Sequence, residues 1–265
     1  MAEIPFGTVL LGAEGFNVGN VNDTYRGEVL TEDGRVRNGI IKDLAPVQLC
    51  NELIAYSLAC ELELPIPDCC LGLVRPGILD VRHGPSIATG ERLVFVSVDV
   101  KVPNLTYRIR NTDDEGRLAL RDEIADWPDL SHLYAYDTWV ANVDRHPGNL
   151  LFGGKEEVWL IDHGHCFTGE SWQPSHLVPS AEYRNRLSEW LTPELSVGKR
   201  KDKAKEANAL GSTLGSVDTG RCCDESRVTN ILPSDYVDAL KAFLNNRTGV
   251  VGKQASKALG APVLV

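Results

Sequence analysis

The most constraining feature of the sequence is a short apolar hairpin with polar residues at both of its ends. Residues 150–152 and 158–161 are apolar runs joined by a Gly-Gly-Lys-Glu-Glu connection, which predicts a β-hairpin. Asp144 and Asn149 precede the first strand, and Asp162 follows the second. Because antiparallel pairing brings these two ends together, the hairpin predicts a cluster of two carboxylates and one amide.

These side chains are of the types that phosphoryl transfer uses. A carboxylate can accept the proton of an attacking hydroxyl, while an amide and a second carboxylate supply the oxygen ligands that Mg²⁺ prefers. We therefore predict that Asp144 positions or deprotonates the acceptor, and that Asn149 and Asp162 bind the metal. Asp, Asn, Gly and Pro also occur in ordinary surface turns for conformational reasons. The complete ordered set favours phosphotransfer over that alternative.

The same stretch resembles the HipA-like protein kinases. The motif residues are, in order, Asp137, Asn142, Asp144, Arg145, His146 and Asn149, followed by Ile161, Asp162, His163 and Gly164. The Asp-Arg-His and Ile-Asp elements are also similar to those of phosphatidylinositol kinases, and the resemblance weakens beyond about residue 170. It implies an α+β, bilobal protein-kinase-like fold, with a small β-rich N-lobe over residues 1–100 and a mainly helical C-lobe over residues 101–265. It also implies ATP and Mg²⁺ as cofactors.

A lysine and a glutamate in the N-terminal part fit this chemistry. Residues 39–42 predict a strand that ends in Lys42, like the kinase strand whose lysine contacts the α- and β-phosphates. Glu52 lies beside the apolar stripe of a predicted helix over residues 46–64, where an unpaired carboxylate is costly to desolvate. We expect the two residues to form an ion pair that directs Lys42 toward ATP. The alternative is that Lys42 is a surface residue at a strand end and Glu52 points to water.

A loop rich in Gly and Asn, residues 12–20, lies between two predicted strands. Glycine permits backbone conformations that fold N–H groups over phosphates, so Gly12, Gly15 and Asn17 are candidate nucleotide-binding residues. The loop lacks the GxGxxG pattern and also fits a plain hairpin connection. HipA proteins carry a regulatory serine here, whereas residues 12–23 contain neither Ser nor Thr. We therefore expect no self-inhibition through this loop, and the short chain implies that an N-terminal subdomain of HipA is absent.

The rest of the chain gives coarser predictions. The apolar strand at residues 92–98 runs into a segment whose position is that of the hinge between lobes, so we predict that the backbone of Val98 and Val100 contacts adenine. Helices are predicted over residues 118–125, 128–141, 187–195 and 235–246, a loop over 211–227 and a tail after Thr248. The basic run at residues 198–205 fits a solvated helix face better than a dock for an acidic substrate.

Three motif residues have roles that the sequence leaves open. Asp137 is expected to be a buried acceptor for backbone N–H groups that fixes the loop after its helix, although a catalytic role is hard to separate from this one. Arg145 is either a packing residue or a partner in an ion pair that braces the segment after Asp162. The resemblance implies a contact between His146 and the γ-phosphate, but His146 equally fits a residue that shapes the turn.

Composition excludes several classes of partner. The 265-residue chain carries 27 basic and 37 acidic residues, and its net charge of −10 argues against nucleic acid and anionic membranes as main partners. The N-terminus lacks a secretory pattern, which predicts a cytoplasmic protein. The seven cysteines have no CxxC spacing, so we expect reduced thiols rather than a zinc site built from the pairs at 69–70 and 222–223.

These features together predict an ATP-dependent kinase that transfers the γ-phosphate to a hydroxyl, Ser or Thr, of a protein substrate. One alternative is a small-molecule or lipid-headgroup kinase. Another is a nucleotide-binding pseudokinase that acts as a regulatory binding module, although a pseudokinase usually lacks at least one of the residues identified above. The identity of the substrate and the oligomeric state have no signature in the sequence.

Overall fold

The structure is a computed structural model that describes residues 3–15 and 23–261. The N-terminal part of the described chain is a six-stranded sheet with one helix. The elements are β1 (Phe6–Val9), β2 (Glu14–Gly15), β3 (Thr24–Thr31), β4 (Val36–Lys42), α1 (Pro46–Glu61), β5 (Cys69–Val74) and β6 (Arg92–Val98). The strand order is β1-β5-β6-β4-β3-β2, and β1 also pairs with β3. The sheet therefore closes into a small barrel with β2 attached at its edge.

Glycines allow this barrel to be narrow. A Cβ atom on Gly39 would lie 2.7 Å from the Val96 side chain, and one on Gly72 would lie 2.7 Å from Val94. Carbon atoms do not approach so closely, so these positions must lack a side chain for the valines of the neighbouring strand to fit. The interior is filled by small and branched residues: Val9, Val29, Ile41, Cys70, Val74, Val94 and Val96.

Helix α1 lies between the barrel and the helical part of the chain. It begins at Pro46, a position where the missing N–H of proline costs no hydrogen bond, and ends at Glu61, slightly before the predicted boundary. Its end is closed by the Leu62 N–H, which donates to the carbonyl of Ala59. The carbonyl of Ala55, in the middle of the helix, accepts a 2.8 Å hydrogen bond from the Tyr136 hydroxyl. Burial on several faces explains why α1 carries buried polar residues.

The C-terminal part is mainly helical. Its elements are α2 (Leu105–Arg110), α3 (Asp114–Ala125), α4 (Leu130–Trp139), β7 (Leu150–Gly154), β8 (Glu157–Leu160), α5 (Leu187–Trp190), α6 (Val197–Leu214), α7 (Thr219–Glu225) and α8 (Ser234–Ala258). Helices α4, α6 and α8 pack together; the Trp139 indole donates to the carbonyl of Leu244, and the Ser256 hydroxyl donates to that of Ala204. The predicted α+β class, with strands concentrated in the N-terminal part, is confirmed.

Two predictions for the C-terminal region are wrong. Residues 211–227 are not one loop, because α6 continues to Leu214 and α7 covers Thr219–Glu225. The tail predicted after Thr248 is the second half of α8, which continues to Ala258. Small residues let this half approach α6 closely: a Cβ on Gly252 would lie 2.7 Å from the Asn208 side chain. Packing of small residues produces little hydrophobic periodicity, and so the sequence pattern did not reveal the helix.

The predicted helix over residues 187–195 is also shorter than expected. Regular helix stops at Trp190, and a separate turn of 3-10 helix follows at Thr192–Glu194. Pro193 lies in that turn, where it removes a backbone N–H that a continuous α-helix would use. Helix α3 ends at the predicted residue but begins four residues earlier, at Asp114, and α4 lies within the predicted range 128–141. The Asp113 side chain caps α3 by accepting the Gly116 N–H.

The described residues contain no helix that is long and apolar enough to cross a bilayer. All seven cysteines are free thiols. Within residues 3–15 and 23–261, the only close group of three or more potential metal ligands is Asp23, Asp43 and His83. This group contains no cysteine.

We expect the thiols to be nearly inert in the native protein. Burial raises the pKa of Cys70, Cys222 and Cys223 to about 12, and only Cys60 is partly exposed. Because the thiolate is the reactive form, a disulfide exchange reagent at pH 8 should modify Cys60 slowly and the six buried thiols only after unfolding. Counting modified thiols by mass spectrometry before and after adding denaturant measures this. Rapid native labelling of Cys69 or Cys70 would contradict the burial described here.

Candidate active site

The ends of the β7–β8 hairpin lie together, as antiparallel pairing requires. Leu150 pairs with Leu160, and the Ile161 N–H donates to the carbonyl of Asn149 at 3.3 Å. Asn149 therefore immediately precedes one strand, Asp162 follows the other within two residues, and both lie at the same end of the hairpin. Asp144 lies in the loop that connects α4 to this end.

A buried ion pair fixes this arrangement. Arg145 and Asp137 are 0% and 1% exposed, and Arg145 Nε donates to Asp137 Oδ2 at 3.0 Å. Arg145 Nη1 also donates to the carbonyls of Asn149 at 2.9 Å and Ile161 at 2.7 Å. One guanidinium thus joins α4 to both strands at the open end of the hairpin. Burial opposes the charged form of Arg145, but attraction to Asp137 outweighs it and raises the pKa of Arg145.

These contacts correct two predictions about the motif. Asp137 is buried as expected, but its carboxylate accepts hydrogen bonds from the side chains of Arg145 and Asn142 instead of backbone N–H groups. Arg145 does form an ion pair, but its partner is Asp137 and not a residue of the segment after Asp162. An arginine fork can reach several backbone carbonyls at once, which a packing residue cannot do.

Asp144 and Asn149 are oriented by each other and by Asn142. The Asp144 N–H donates to Asn142 Oδ1 at 3.0 Å, and Asn149 Nδ2 donates to the carbonyl of Asp144 at 2.9 Å. Since the Asn149 amide nitrogen is committed to Asp144, its oxygen is the atom left for a metal. The Asp144 carboxylate is partly exposed and contacts Arg186 Nη1.

His146 contacts both the turn and Asp144. Its Nδ1 accepts the N–H of Gly148 at 3.0 Å, which closes the turn before β7. Its Nε2 lies 3.8 Å from Asp144 Oδ2. Burial lowers the pKa of His146, so the neutral imidazole that can accept the Gly148 N–H is favoured. A turn-shaping role therefore has a direct contact, and a contact with the γ-phosphate stays a prediction.

The expected ion pair between Lys42 and Glu52 is present, and Asp162 joins it. Lys42 Nζ lies 2.7 Å from Glu52 Oε1 and 3.1 Å from Asp162 Oδ1. The side chains of Lys42, Glu52 and Asp162 are 13%, 2% and 39% exposed, so the lysine is enclosed and the second carboxylate faces outward. Burial alone would raise the pKa of Glu52, but the charge of Lys42 reverses the shift and lowers it.

The backbone at Asp162 is strained. Asp162 has φ 61°, in the left-handed region that non-glycine residues seldom adopt. A hydrogen bond of the next residue stabilises this backbone conformation: the His163 N–H donates to Glu52 Oε2 at 2.9 Å. Glu52 therefore binds Lys42 with one oxygen and the backbone after Asp162 with the other. Strain that surrounding contacts maintain is a feature of functional sites.

Comparison with known proteins identifies the family. A family model described as HipA-like kinase matches residues 39–204. The chain belongs to the HipA-like kinase family. A solved structure of a Helicobacter pylori proinflammatory kinase, CtkA, aligns at 12% identity and a TM-score of 0.46, covering 88% of this chain and 94% of that chain. No curated protein matches the sequence.

The family match covers most of the residues singled out above. Residues 39–204 of this HipA-like kinase include the lysine strand, helix α1, the hairpin and its flanking motif residues. The glycine-rich loop lies outside the matched region. A phosphotransferase is therefore supported by the family, whereas the role of each site residue rests on the geometry.

Two of the three candidate residues in the glycine-rich loop are described. Gly12 has φ 99° in a turn after β1, and Gly15 pairs with Tyr25 in the β2–β3 ladder. Where the description resumes after residue 22, Thr24 pairs with Lys42. Asn17 lies outside the described residues, and its predicted role and those of the two glycines stay predictions.

The structure describes the backbone at both predicted hinge residues. The N–H of Val98 donates to the carbonyl of Asp68 at 2.8 Å, so a contact between Val98 and adenine would use the Val98 carbonyl, and that contact stays a prediction. Residues 99–104 do connect the barrel to α2, and the Phe152 N–H donates to the carbonyl of Pro103 at 3.0 Å. Val100 lies in this connection, and its predicted contact with adenine stays a prediction.

Asn51 is a site residue that the sequence analysis missed. Its Nδ2, which carries two hydrogens, lies within hydrogen-bond distance of three carbonyls, those of Gly164 at 2.8 Å, Gly169 at 2.9 Å and Cys166 at 3.1 Å. Its Oδ1 accepts the Trp172 indole N–H at 2.8 Å. One buried amide thus ties α1 to the segment that follows Asp162. The only signal in the sequence was an asparagine next to Glu52 in an apolar helix, since buried amides are almost always hydrogen-bonded.

Replacing Asn51 by Ala should destabilise the protein by about 3 kcal/mol, because the Trp172 indole and several carbonyls would lose their partner in a dry interior. Urea unfolding measures the change. Gln48→Ala is the matched control on the same helix, since the buried Gln48 Nε2 has no hydrogen-bond partner among the described residues. Equal losses in the two variants would show that volume, and not hydrogen bonding, sets the effect.

Proposed function

We propose that this chain is a bilobal ATP-dependent kinase that phosphorylates a Ser or Thr hydroxyl of a protein. In this proposal residues 1–100, with the barrel and α1, form the N-lobe, and residues 101–265 form the C-lobe. The observation that carries it is Lys42 Nζ at 2.7 Å from Glu52 and 3.1 Å from Asp162. This contact joins a residue of the barrel to the end of the hairpin, where Asp144 and Asn149 also lie.

The donor set fits a hard divalent cation. Asp162 offers a partly exposed carboxylate, and Asn149 offers an amide oxygen whose nitrogen is already hydrogen-bonded to Asp144. Oxygen ligands of this kind suit Mg²⁺, and Asn149 and Asp162 would hold it. When bound, the metal supplies charge neutralisation on the phosphates. His163 and His165 flank the motif, but nitrogen ligands do not suit Mg²⁺, and we assign them no metal.

Lys42 and Asp144 carry out the steps of the proposed reaction that do not involve the metal. Lys42 is protonated, because Asp162 and Glu52 raise its pKa against the opposing effect of burial, so it offers a fixed positive charge to ATP phosphates. Asp144 accepts the proton of the acceptor hydroxyl as that oxygen forms its bond to the γ-phosphorus and the bond to the β-phosphate oxygen breaks. Catalysis then rests on positioning and electrostatics rather than on a covalent intermediate.

The proposal is tested by phosphate transfer from γ-labelled ATP with Mg²⁺. Wild-type protein and Asp144→Asn are compared alone and in cell lysate, each with and without a chelator. We expect a labelled protein band whose rate falls at least about 100-fold in the variant. ATP binding without any label would favour a regulatory binding module, and label on small molecules alone would favour a different acceptor class. A chain that does not bind ATP would refute the proposal.

A further inference from the structure

Arg186, which lies 42 residues after Asp144 in the sequence, contacts the Asp144 carboxylate. Arg186 Nη1 contacts Asp144 Oδ1, and the two side chains are 30% and 29% exposed. Under the proposed function this carboxylate receives the acceptor hydroxyl. The guanidinium therefore stands where a substrate must arrive, and it has to share Asp144 with that substrate or leave it.

The backbone that carries Arg186 is anchored to the loop between α4 and β7. The Trp190 indole, one turn further along α5, donates to the carbonyl of Arg145 at 2.8 Å. Asn185 reaches Thr138 on α4 at 3.3 Å and accepts the N–H of Leu187, which is fully buried. Arg186 thus projects from a fixed platform, and its guanidinium can rearrange without movement of the chain.

The guanidinium has a donor to spare. Arg186 Nε is buried and has no hydrogen-bond partner among the residues that the structure describes. A buried donor without a partner costs free energy, and such groups in native proteins call for an explanation. The planar guanidinium presents paired donors that match the oxygens of a carboxylate or a phosphate. Nη1 contacts Asp144 while Nε is unpaired, so another edge of the guanidinium still has a donor without a partner.

The surrounding charges leave Arg186 dependent on Asp144. Its neighbour Arg184 forms a two-point ion pair with Glu189, at 2.7 and 2.8 Å. The pKa of Glu189 is lowered mainly by its hydrogen bonds and ion pair with Arg184, and to a smaller extent by the positive charge of Arg186. Glu189 is therefore already neutralised. When Asp144 turns to a hydroxyl, Arg186 needs another anion. In the proposed function the phosphates of ATP would be held by Lys42 and the metal, so the anion has to come with the acceptor.

We propose that Arg186 is a specificity-determining residue that binds an anionic group, a carboxylate or a phosphate, next to the acceptor hydroxyl. This inference rests on the proposed function, because it gives Asp144 to the acceptor. An acidic or already phosphorylated peptide replaces Asp144 as the partner of Arg186 and frees the carboxylate for the hydroxyl. A neutral peptide must break the ion pair without compensation.

The test uses synthetic peptides with a single serine, in which Asp, phosphoserine, Ala or Lys is placed in turn at each flanking position. We expect wild-type protein to phosphorylate the best Asp or phosphoserine peptide with a kcat/KM at least about tenfold above that of the Ala peptide. Arg186→Gln should remove the preference, and Arg186→Glu should transfer it to the Lys peptide. The two anionic peptides distinguish a carboxylate from a phosphate as the recognised group.

Arg117→Gln is the control, because it removes an exposed guanidinium, paired with Asp114 on α3, and leaves the ion pair of Arg184 and Glu189 intact. It should keep the wild-type preference. A wild-type enzyme that phosphorylates all peptides equally would overturn the inference while leaving the proposed function intact. An Arg186→Gln variant that is faster on every peptide by the same factor would also overturn it. That result would mean that Arg186 only blocks Asp144 and does not select among substrates.

A binding measurement separates the two hypotheses when no peptide is phosphorylated. In ¹⁵N-labelled protein, the Arg186 Nε–H resonance, assigned by its loss in Arg186→Gln, should shift on addition of the phosphoserine or Asp peptide and stay still with the Ala peptide. A resonance that responds to none of the peptides would overturn the inference. The proposed kinase function is tested separately, because its failure would appear as absence of label in the lysate assay with ATP.

Discussion

Asp162→Asn is expected to lower phosphate transfer by about three orders of magnitude and to leave the fold intact. The substitution replaces a charged metal ligand by a neutral amide and removes one of the two carboxylates that contact Lys42. Lys42 keeps Glu52 at 2.7 Å, and the Asp162 side chain is 39% exposed, so no charge is left buried without a partner. The loss therefore falls on the chemistry and not on the packing.

Asparagine is a better replacement here than alanine. Asp162 has φ 61°, and asparagine tolerates the left-handed region far better than alanine does. An alanine variant would mix backbone strain with the loss of the ligand. Initial rates of transfer from γ-labelled ATP, with thermal unfolding as the check on folding, measure the effect.

Glu156→Gln serves as the control, because it removes an exposed carboxylate from the turn of the same hairpin. It should transfer phosphate at the wild-type rate. Activity in Asp162→Asn within tenfold of wild type would sink the metal assignment. Loss of activity in both variants would point to a general effect of charge on the hairpin.

The parts of the site that the sequence predicted are those with short-range geometry. Antiparallel strands joined by a tight turn bring the residues before and after the hairpin together. Lys42 and Glu52 are ten residues apart, and desolvation of a carboxylate on a buried helix demands a partner. In each case a local rule determines which side chains approach.

Contacts across the fold left no comparable signal. Asn51 binds carbonyls that lie 113 to 118 residues away, and Arg186 meets Asp144 across 42 residues. Neither spacing belongs to a strand or helix period. Asn51 could have been suspected, because an amide within an apolar helix must find partners, but nothing indicated which carbonyls these would be.

The hydrogen-bond donors of Asp137 could not be predicted from the sequence. Burial of its carboxylate was predictable from its place on α4, but the nature of its donors was not. Both Arg145 and the backbone N–H groups of the loop were available as partners by sequence. Arg145 is the partner because its guanidinium, from this position, also donates to the carbonyls of Asn149 and Ile161. Competition among partners is resolved by three-dimensional geometry, which spacing does not encode.

Breaking the buried ion pair should have the largest effect on stability. Asp137→Ala leaves the Arg145 guanidinium, 0% exposed, without a carboxylate. Removing one member of a buried pair costs about 3 to 5 kcal/mol, because the other charge is left desolvated. Urea unfolding should report a loss of this size. The comparison is Asp129→Ala, which removes the carboxylate of a partly exposed pair with His132 and should change stability by less than about 0.5 kcal/mol.

A double variant separates the two functions of this pair. In Asp137→Leu with Arg145→Met no charge remains in the interior, so most of the lost stability should return, as in other proteins where apolar residues replace a buried pair. Phosphate transfer should stay low, because the carbonyls of Asn149 and Ile161 lose the donor that holds the ends of the hairpin together. Recovery of both stability and activity would show that the hairpin needs no anchor. A double variant no more stable than Asp137→Ala would mean that the carbonyl contacts, and not the charge, dominate the stability of this region.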